Sequence, residues 1–221
     1  MRFYWIHALT LAGCLAGSVL GQAATAQLIN GDLEAGSYVF DGNGADSRPA
    51  GSTVITGWTT ISNELAVIDN VNNFGITAQS GTKSLDLTGY HDSAPYGGIQ
   101  QLVNTVAGQN YTLDFFLGQA GSTASGISVS TVGAPTTYTA TIGGSFWQEF
   151  TTSFTATGPT LLSFTGVTPA HGGDYIGLDH ITLTGNFTPV TTPEPGSLAL
   201  FAGISVSGGV LLLRRRSRRT A

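Results

Sequence analysis

The sequence predicts an all-β domain, a two-sheet antiparallel jelly-roll sandwich, flanked by an N-terminal signal-peptide helix and a C-terminal transmembrane helix. Three observations carry this. Between Gln27 and Phe187 no stretch sustains a helical apolar period, while short runs of Thr, Val, Ile, Phe and Tyr alternate with period two. Glycine recurs between those runs, where turns would fall. The long apolar stretches lie only near the two chain ends.

Taken in order, the chain starts with a thin positive region at Arg2, an apolar stretch over residues 3–20 and the small-x-small site Ala24-Thr25-Ala26. That pattern is a signal peptide over residues 1–26, removed by signal peptidase to leave Gln27 as the new terminus. Leu11-Ala12-Gly13-Cys14 offers a competing reading, the lipobox of a lipoprotein with Cys14 acylated. Cleavage before Gln27 discards the only cysteine, so the exported domain must be held by a packed core without a disulfide. Residues 27–187 suffice for one domain of ordinary size.

Ten strands are expected, over residues 53–56, 65–69, 84–88, 99–106, 111–117, 127–131, 136–142, 147–156, 159–167 and 175–184. In the fifth, Tyr111, Leu113, Phe115 and Leu117 share one face and Phe116 is the exception. In the eighth, Phe150, Thr152, Phe154 and Ala156 share a side. About ten short strands in one domain fit a two-sheet sandwich. Residues 188–195 are too rich in proline and threonine for a sheet interior and form a linker.

The chain closes on Pro193-Glu194-Pro195, an apolar run over residues 196–213 and a basic tail over 214–221 with Arg214, Arg215, Arg216, Arg218 and Arg219. As a helix the run reaches about 27 Å, close to the hydrocarbon thickness of a bilayer at about 30 Å. The arginines would stay in the cytoplasm and the domain outside. Order and spacing of these three parts resemble the PEP-CTERM sorting signal recognised by exosortases, with Thr192 standing where valine is frequent. The resemblance implies transient residence in the inner membrane, processing by an exosortase-type enzyme near the tripeptide, and delivery to the cell surface or exopolysaccharide matrix. An ordinary single-span anchor explains the span and the arginines, though not Pro-Glu-Pro.

A second resemblance runs through the domain. Asn30-Gly31-Asp32-Leu33-Glu34, Gly57-Trp58, residues 81–87, Gly98-Ile99-Gln100-Gln101, Tyr111-Thr112-Leu113, Trp147 with Phe150 and Phe154, and Leu178-Asp179-His180-Ile181 occur in the order seen in galactose-binding-like jelly rolls. These include bacterial choice-of-anchor surface domains and some carbohydrate-binding modules.

Charge narrows the partners. Between Gln27 and Phe187 the only Lys or Arg residues are Arg48 and Lys83, against twelve carboxylates, a surface that repels nucleic acid and leaves divalent cations and neutral sugars compatible. On the strand over 175–184, Asp179 shares a face with Ile181 and Leu183 and is expected to point inward. A buried carboxylate needs a partner. The second resemblance implies a structural Ca²⁺ held by Glu34 and Asp179 with Asn30 or Asp32 helping, a set of oxygen ligands suited to that ion. The other reading is a carboxylate bonded to backbone amides.

Within residues 88–98, Tyr90, His91, Asp92 and Tyr96 form the expected ligand loop: aromatic faces stack on sugar rings and a carboxylate accepts from hydroxyls. Its alternative is an acidic surface loop with two partly packed tyrosines. Trp58 and Trp147 read as core anchors. Ser80-Gly81-Thr82-Lys83 has the Ser-x-x-Lys form without the helix and partner motifs that nucleophile needs, and His171-Gly172-Gly173-Asp174 reads as a turn. The stretch from Asp41 to Asp46 begins like a calcium loop, but Ala45 lacks a ligand oxygen and Ser52 stands where the closing Glu belongs. No catalytic residue is assigned and no cofactor beyond a structural Ca²⁺ is expected. The expected role is a non-enzymatic surface or matrix protein contacting polysaccharide, with a polysaccharide hydrolase using a carboxylate pair and a ligand-free matrix scaffold as rivals. Intact mass of the mature protein should show a chain that starts at Gln27 and lacks Arg214, Arg215 and Arg216; a full-length basic tail retained in the inner membrane would mean a plain anchor.

Overall fold

The computed structural model describes residues 28–90, 93–120, 124–141, 147–168 and 175–185, all within the compact unit Ala23–Thr192. The leader, the linker, Pro193, Glu194, Pro195, the apolar run and Arg214, Arg215 and Arg216 lie outside the described residues, as do His91 and Asp92.

Period-two alternation gives the longer strands one apolar side, and two antiparallel sheets bury those sides against each other. Among the described residues there are eleven strands and no helix: β1 (Ala45–Arg48), β2 (Thr59–Ile61), β3 (Leu65–Asp69), β4 (Lys83–Asp86), β5 (Gly98–Val103), β6 (Asn110–Ala120), β7 (Ser125–Ser130), β8 (Thr136–Ala140), β9 (Trp147–Thr155), β10 (Thr160–Thr168) and β11 (Tyr175–Gly185). The six-stranded sheet runs β1-β3-β4-β11-β6-β9 and the five-stranded sheet β2-β5-β10-β7-β8. Chain-distant strands are therefore neighbours, and the last strand, β11, sits in the middle of its sheet.

Phe115 is the centre of the core. Its ring stacks on Phe150 at 5.8 Å and meets Phe164 and Tyr138 edge-on at 5.5 and 5.2 Å. Those four rings come from β6, β9, β10 and β8, so one contact set ties the two sheets together. Trp58 is buried and packs edge-on against Phe164 at 6.1 Å, as an anchor rather than a sugar platform.

The structure departs from the expected strands at three places. Residues 53–56 form no strand; of the four only Ile55 is buried, joining the main core and making an isolated bridge to Gly36. The short β1 and β2 lie at sheet edges, where polar residues such as Asp46 and Arg48 replace apolar alternation. The third departure falls in β11. Its register against β6 slips between Asp179 and Thr182, which pair with Phe116 and Asp114, and His180 at the slip has φ 46°. Ile176 and Leu178 before this bulge and Ile181 and Leu183 after it all join the main core. Asp179 is fully buried but turned to the other side of the sheet from Ile181 and Leu183, so the shared face expected for the three is corrected by the extra residue.

Asp179 is buried there because that outer side is roofed. Ala45, Ala66, Ile68, Ile76 and Tyr175 form a second apolar cluster with Trp147 packed on it, opposite in alternation to Leu65 and Val67 of the main core. The chain between β3 and β4 supplies the roof: Ile76 is buried in it, Asn72 Nδ2 donates to the Asp69 and Ile76 carbonyls at 2.6 Å each, and Trp147 Nε1 donates to the Thr77 carbonyl at 2.8 Å. Replacing Phe115 by Ala should cost about 3–5 kcal/mol of unfolding free energy in urea titrations, whereas Leu102→Ala, at a 64 % exposed position, should stay within about 0.5 kcal/mol.

Candidate functional site

Two carboxylates hold the end of the roof. Asp179 Oδ2 accepts from the backbone N–H groups of Gln79 and Ser80 at 2.8 and 3.1 Å, and Oδ1 from that of His180 at 2.7 Å. Glu34 Oε1 accepts from the backbone N–H groups of Thr82 and Lys83 at 2.8 and 2.7 Å, while Oε2 takes the Thr82 hydroxyl at 3.0 Å and Lys83 Nζ at 3.1 Å. Gly81, between the two grips, has φ 62°, and a Cβ there would collide with the Glu34 carboxylate. Burial pushes the Asp179 carboxyl up to about 7 although the Ser80, His180 and Gln79 amides pull the other way. For Glu34 burial also raises, but the Thr82 and Lys83 bonds outweigh it and hold the group below its usual range.

The opening motif serves the same fastening. Asn30 Oδ1 accepts from the Ala35 N–H at 2.8 Å and its Nδ2 donates to the Ala35 and Thr56 carbonyls at 2.9 and 3.0 Å. The Asn30 carbonyl accepts from Trp58 Nε1 at 2.9 Å, and the Gly31 carbonyl from the Ile181 N–H at 2.7 Å. Asp32 is exposed. These residues do not fit a Ca²⁺: every oxygen of Glu34 and Asp179 already faces a hydrogen, so a cation would meet the positive ends of those bonds. Among the described residues no group of three or more His, Cys, Asp or Glu side chains is placed to hold a metal ion. In the Ser-x-x-Lys stretch Lys83 is committed to Glu34 and the Ser80 backbone to Asp179, an arrangement that fastens a loop and activates no nucleophile.

The expected ligand loop divides. Tyr96 is 3 % exposed and belongs to the main core, so it cannot offer a face to a sugar; this corrects its assignment as a ligand residue. Tyr90 is 50 % exposed and held at both ends. Its N–H donates to Glu64 Oε1 at 3.0 Å and its hydroxyl to Asp41 Oδ2 at 2.5 Å. Asp41 in turn accepts on Oδ1 from the Asn43 and Ala45 N–H groups at 2.8 and 3.1 Å. The Tyr90 hydroxyl, with the Ala45 and Asn43 amides, keeps Asp41 below the usual carboxylate range, and the same bond raises Tyr90.

The roof reaches this turn as well. Asn73 Nδ2 donates to Asn43 Oδ1 at 3.2 Å and to the Gly42 carbonyl at 3.3 Å, and its N–H to the Asn43 carbonyl at 3.0 Å. Phe74, the next residue, is 46 % exposed. Three chain segments thus meet at Asp41–Asn43 and bring together the Tyr90 ring, the Asn43 and Asn73 carboxamides and the Asp41 carboxylate, with Phe74 exposed next to Asn73. Sequence reading found Tyr90 but took Asp41–Asp46 as a turn and passed over Asn73 and Phe74; the Asn-rich run from Asn70 to Asn73 was the signal available.

Fold and patch together define an all-β sandwich that carries a hydrogen-bonded cluster of loop side chains around Tyr90. A family model described as "Protein of unknown function (DUF642)" matches residues 26–169, and the chain belongs to that family. Halomucin of Haloquadratum walsbyi is 32 % identical over 173 residues, which are 75 % of this chain and 2 % of that protein. Solved structures similar in part include TmCBM61 in complex with β-1,4-galactotriose, at TM-score 0.42 and 17 % identity over 58 % of this chain and 88 % of that one. The CBM22-1 xylan-binding domain from Paenibacillus barcinonensis gives 0.42 and 16 % over 64 % and 94 %, and a cyclase from Fischerella sp. TAU gives 0.45 and 12 % over 65 % and 90 %. Overlaps this partial leave the ligand to be argued from the chain's own residues.

Asp179 makes stability depend on pH. Its folded value lies above the ordinary carboxyl value of about 4, so the native state binds the proton more tightly than the unfolded chain does. The resulting stabilisation is complete below about pH 4 and is lost as pH rises through about 7, on the order of a few kcal/mol. Melting temperature should therefore fall between pH 5 and pH 8 in the wild type, and Asp179→Asn should flatten that slope while lowering the melting temperature at pH 5.

Proposed function

We propose that the protein is an exported, non-catalytic binding module that holds polysaccharide at the cell surface or in the extracellular matrix. The observation that carries this is the Tyr90 ring, half exposed yet fixed by Glu64 at its backbone and Asp41 at its hydroxyl. An aromatic face fixed before binding loses little freedom when a sugar ring stacks on it, and the neighbouring Asn43 and Asn73 amides can donate to and accept from ring hydroxyls. Phe74 offers a second apolar face for the next sugar along a chain. Asp41 accepts three hydrogen bonds and stays ionised, which suits orienting a hydroxyl and not protonating a glycosidic oxygen.

Delivery follows from the two ends of the sequence. Signal peptidase cleavage before Gln27 and recognition of Pro193-Glu194-Pro195 with Arg214, Arg215 and Arg216 by an exosortase-type enzyme would carry the domain through the inner membrane and release it outside. The similarity to a stretch that makes up 2 % of Halomucin supports a module reused inside larger proteins. In affinity electrophoresis through gels containing polysaccharide, Tyr90→Ala should weaken retention at least about tenfold with an unchanged urea midpoint, and Tyr90→Phe should lie between it and wild type. Undiminished retention in Tyr90→Ala and in Phe74→Ala would remove the patch as the binding site.

A further inference from the structure

We infer that the glycan taken by this patch is uncharged, with hydroxyls where acidic polysaccharides carry carboxylates or sulfates; the inference rests on the glycan-binding reading above. It follows from where the domain's positive charge is spent. Arg48 and Lys83 are the only Lys or Arg residues between positions 28 and 185. Arg48 Nη2 lies 2.6 Å from Asp46 Oδ2, with the two side chains 20 % and 6 % exposed. Asp46 Oδ2 also accepts from the Val39 N–H at 2.9 Å, so that pair is built into the edge of the sheet. Lys83 Nζ is 3.1 Å from Glu34 Oε2, with exposures of 18 % and 26 %, and is also bonded to the Thr82 hydroxyl at 3.0 Å. Neither cation can turn to an anionic ligand without uncovering a carboxylate that holds the fold.

The patch itself is acidic on both sides of its aromatic ring. Asp41 touches the Tyr90 hydroxyl and Glu64 its backbone. Asp69 stands at the root of the roof, where its Oδ1 accepts from the Val71 N–H at 2.8 Å. His180, the one described histidine, lies against Phe116 at 5.7 Å on β11 and β6. A uronic acid stacked on Tyr90 brings a fixed negative charge within a few ångströms of Asp41, and the two described Lys and Arg side chains are already held by Glu34 and Asp46. A neutral hexose meets only hydrogen-bonding groups there. Repulsion between unit charges at that range, screened as at a protein surface, weakens binding about tenfold for each charged sugar in contact, and added salt relieves it.

The test uses matched polymers that differ at C6 alone, β-1,4-mannan against β-1,4-polymannuronate, within a wider panel of neutral glycans. Binding to the full-length chain is measured with a chelator present, to remove bridging by divalent cations. Neutral members should bind with an affinity unchanged between 50 and 500 mM NaCl, and their uronates at least about tenfold more weakly at low salt, the gap closing as salt rises. Uronates binding as tightly as their neutral partners at low salt would overturn this inference while leaving the glycan-binding reading in place. Binding to none of the polymers would overturn both.

Discussion

Four backbone N–H groups within residues 79–83 end on two carboxylates drawn from opposite ends of the domain, and the rest of the structure depends on that fastening. Glu34 belongs to the first described segment, Asp179 to the last strand, and the amides they hold lead into the start of β4. Three pieces of chain far apart in sequence are thereby fixed to one another. The fastening also fixes the roof, which buries Ile76 and Tyr175 and brings Asn73 to the Asp41 turn. A domain without a disulfide needs such long-range ties, and carboxylates that accept several amide bonds provide them with geometric definition.

The same arrangement explains what was and was not legible in the sequence. Strand β3 coincides with the expected 65–69 because an unbroken apolar run stands between marked turns, and β9 with all but the last residue of 147–156 because its alternation is regular. β1 and β2 were not visible because edge strands carry polar side chains for reasons of their own. Asp179 could be read as buried but not as facing away from Ile181, since a one-residue bulge leaves no mark in composition. Tyr90 and Tyr96 stand six positions apart in one loop with the same side chain; only the closure of the sandwich over Gly166, whose missing Cβ leaves room for the Tyr96 Cβ, decides which one is core. The contact between Asn43 and Asn73 spans 30 residues and has no local signature.

Stability and recognition are separated within this architecture. Asp179 and Glu34 accept backbone amides and hold the frame, while Asp41 and Glu64 hold one half-exposed aromatic ring. Tyr90 is therefore ordered without being buried, a condition that a loop rich in glycine and alanine would not reach through packing alone. The frame can accept change at the exposed carboxamides without disturbing the Phe115 centre, since Asn43 and Asn73 bond to the Asp41 turn and Phe115 packs on rings of the core.

The central place of β11 bears on how such a chain folds. Strands β3 and β4 and strands β6 and β9 can pair as two separate ribbons, but the sheet has no middle until β11 lies between β4 and β6. Asp179 arrives with that strand, so the amides of Gln79 and Ser80 have no acceptor beforehand. A polypeptide threaded N-terminus first through a narrow channel would thus carry nearly the whole domain across before its stable form was accessible. Late closure of this kind would keep a chain loose during such a passage and let it set only on the far side.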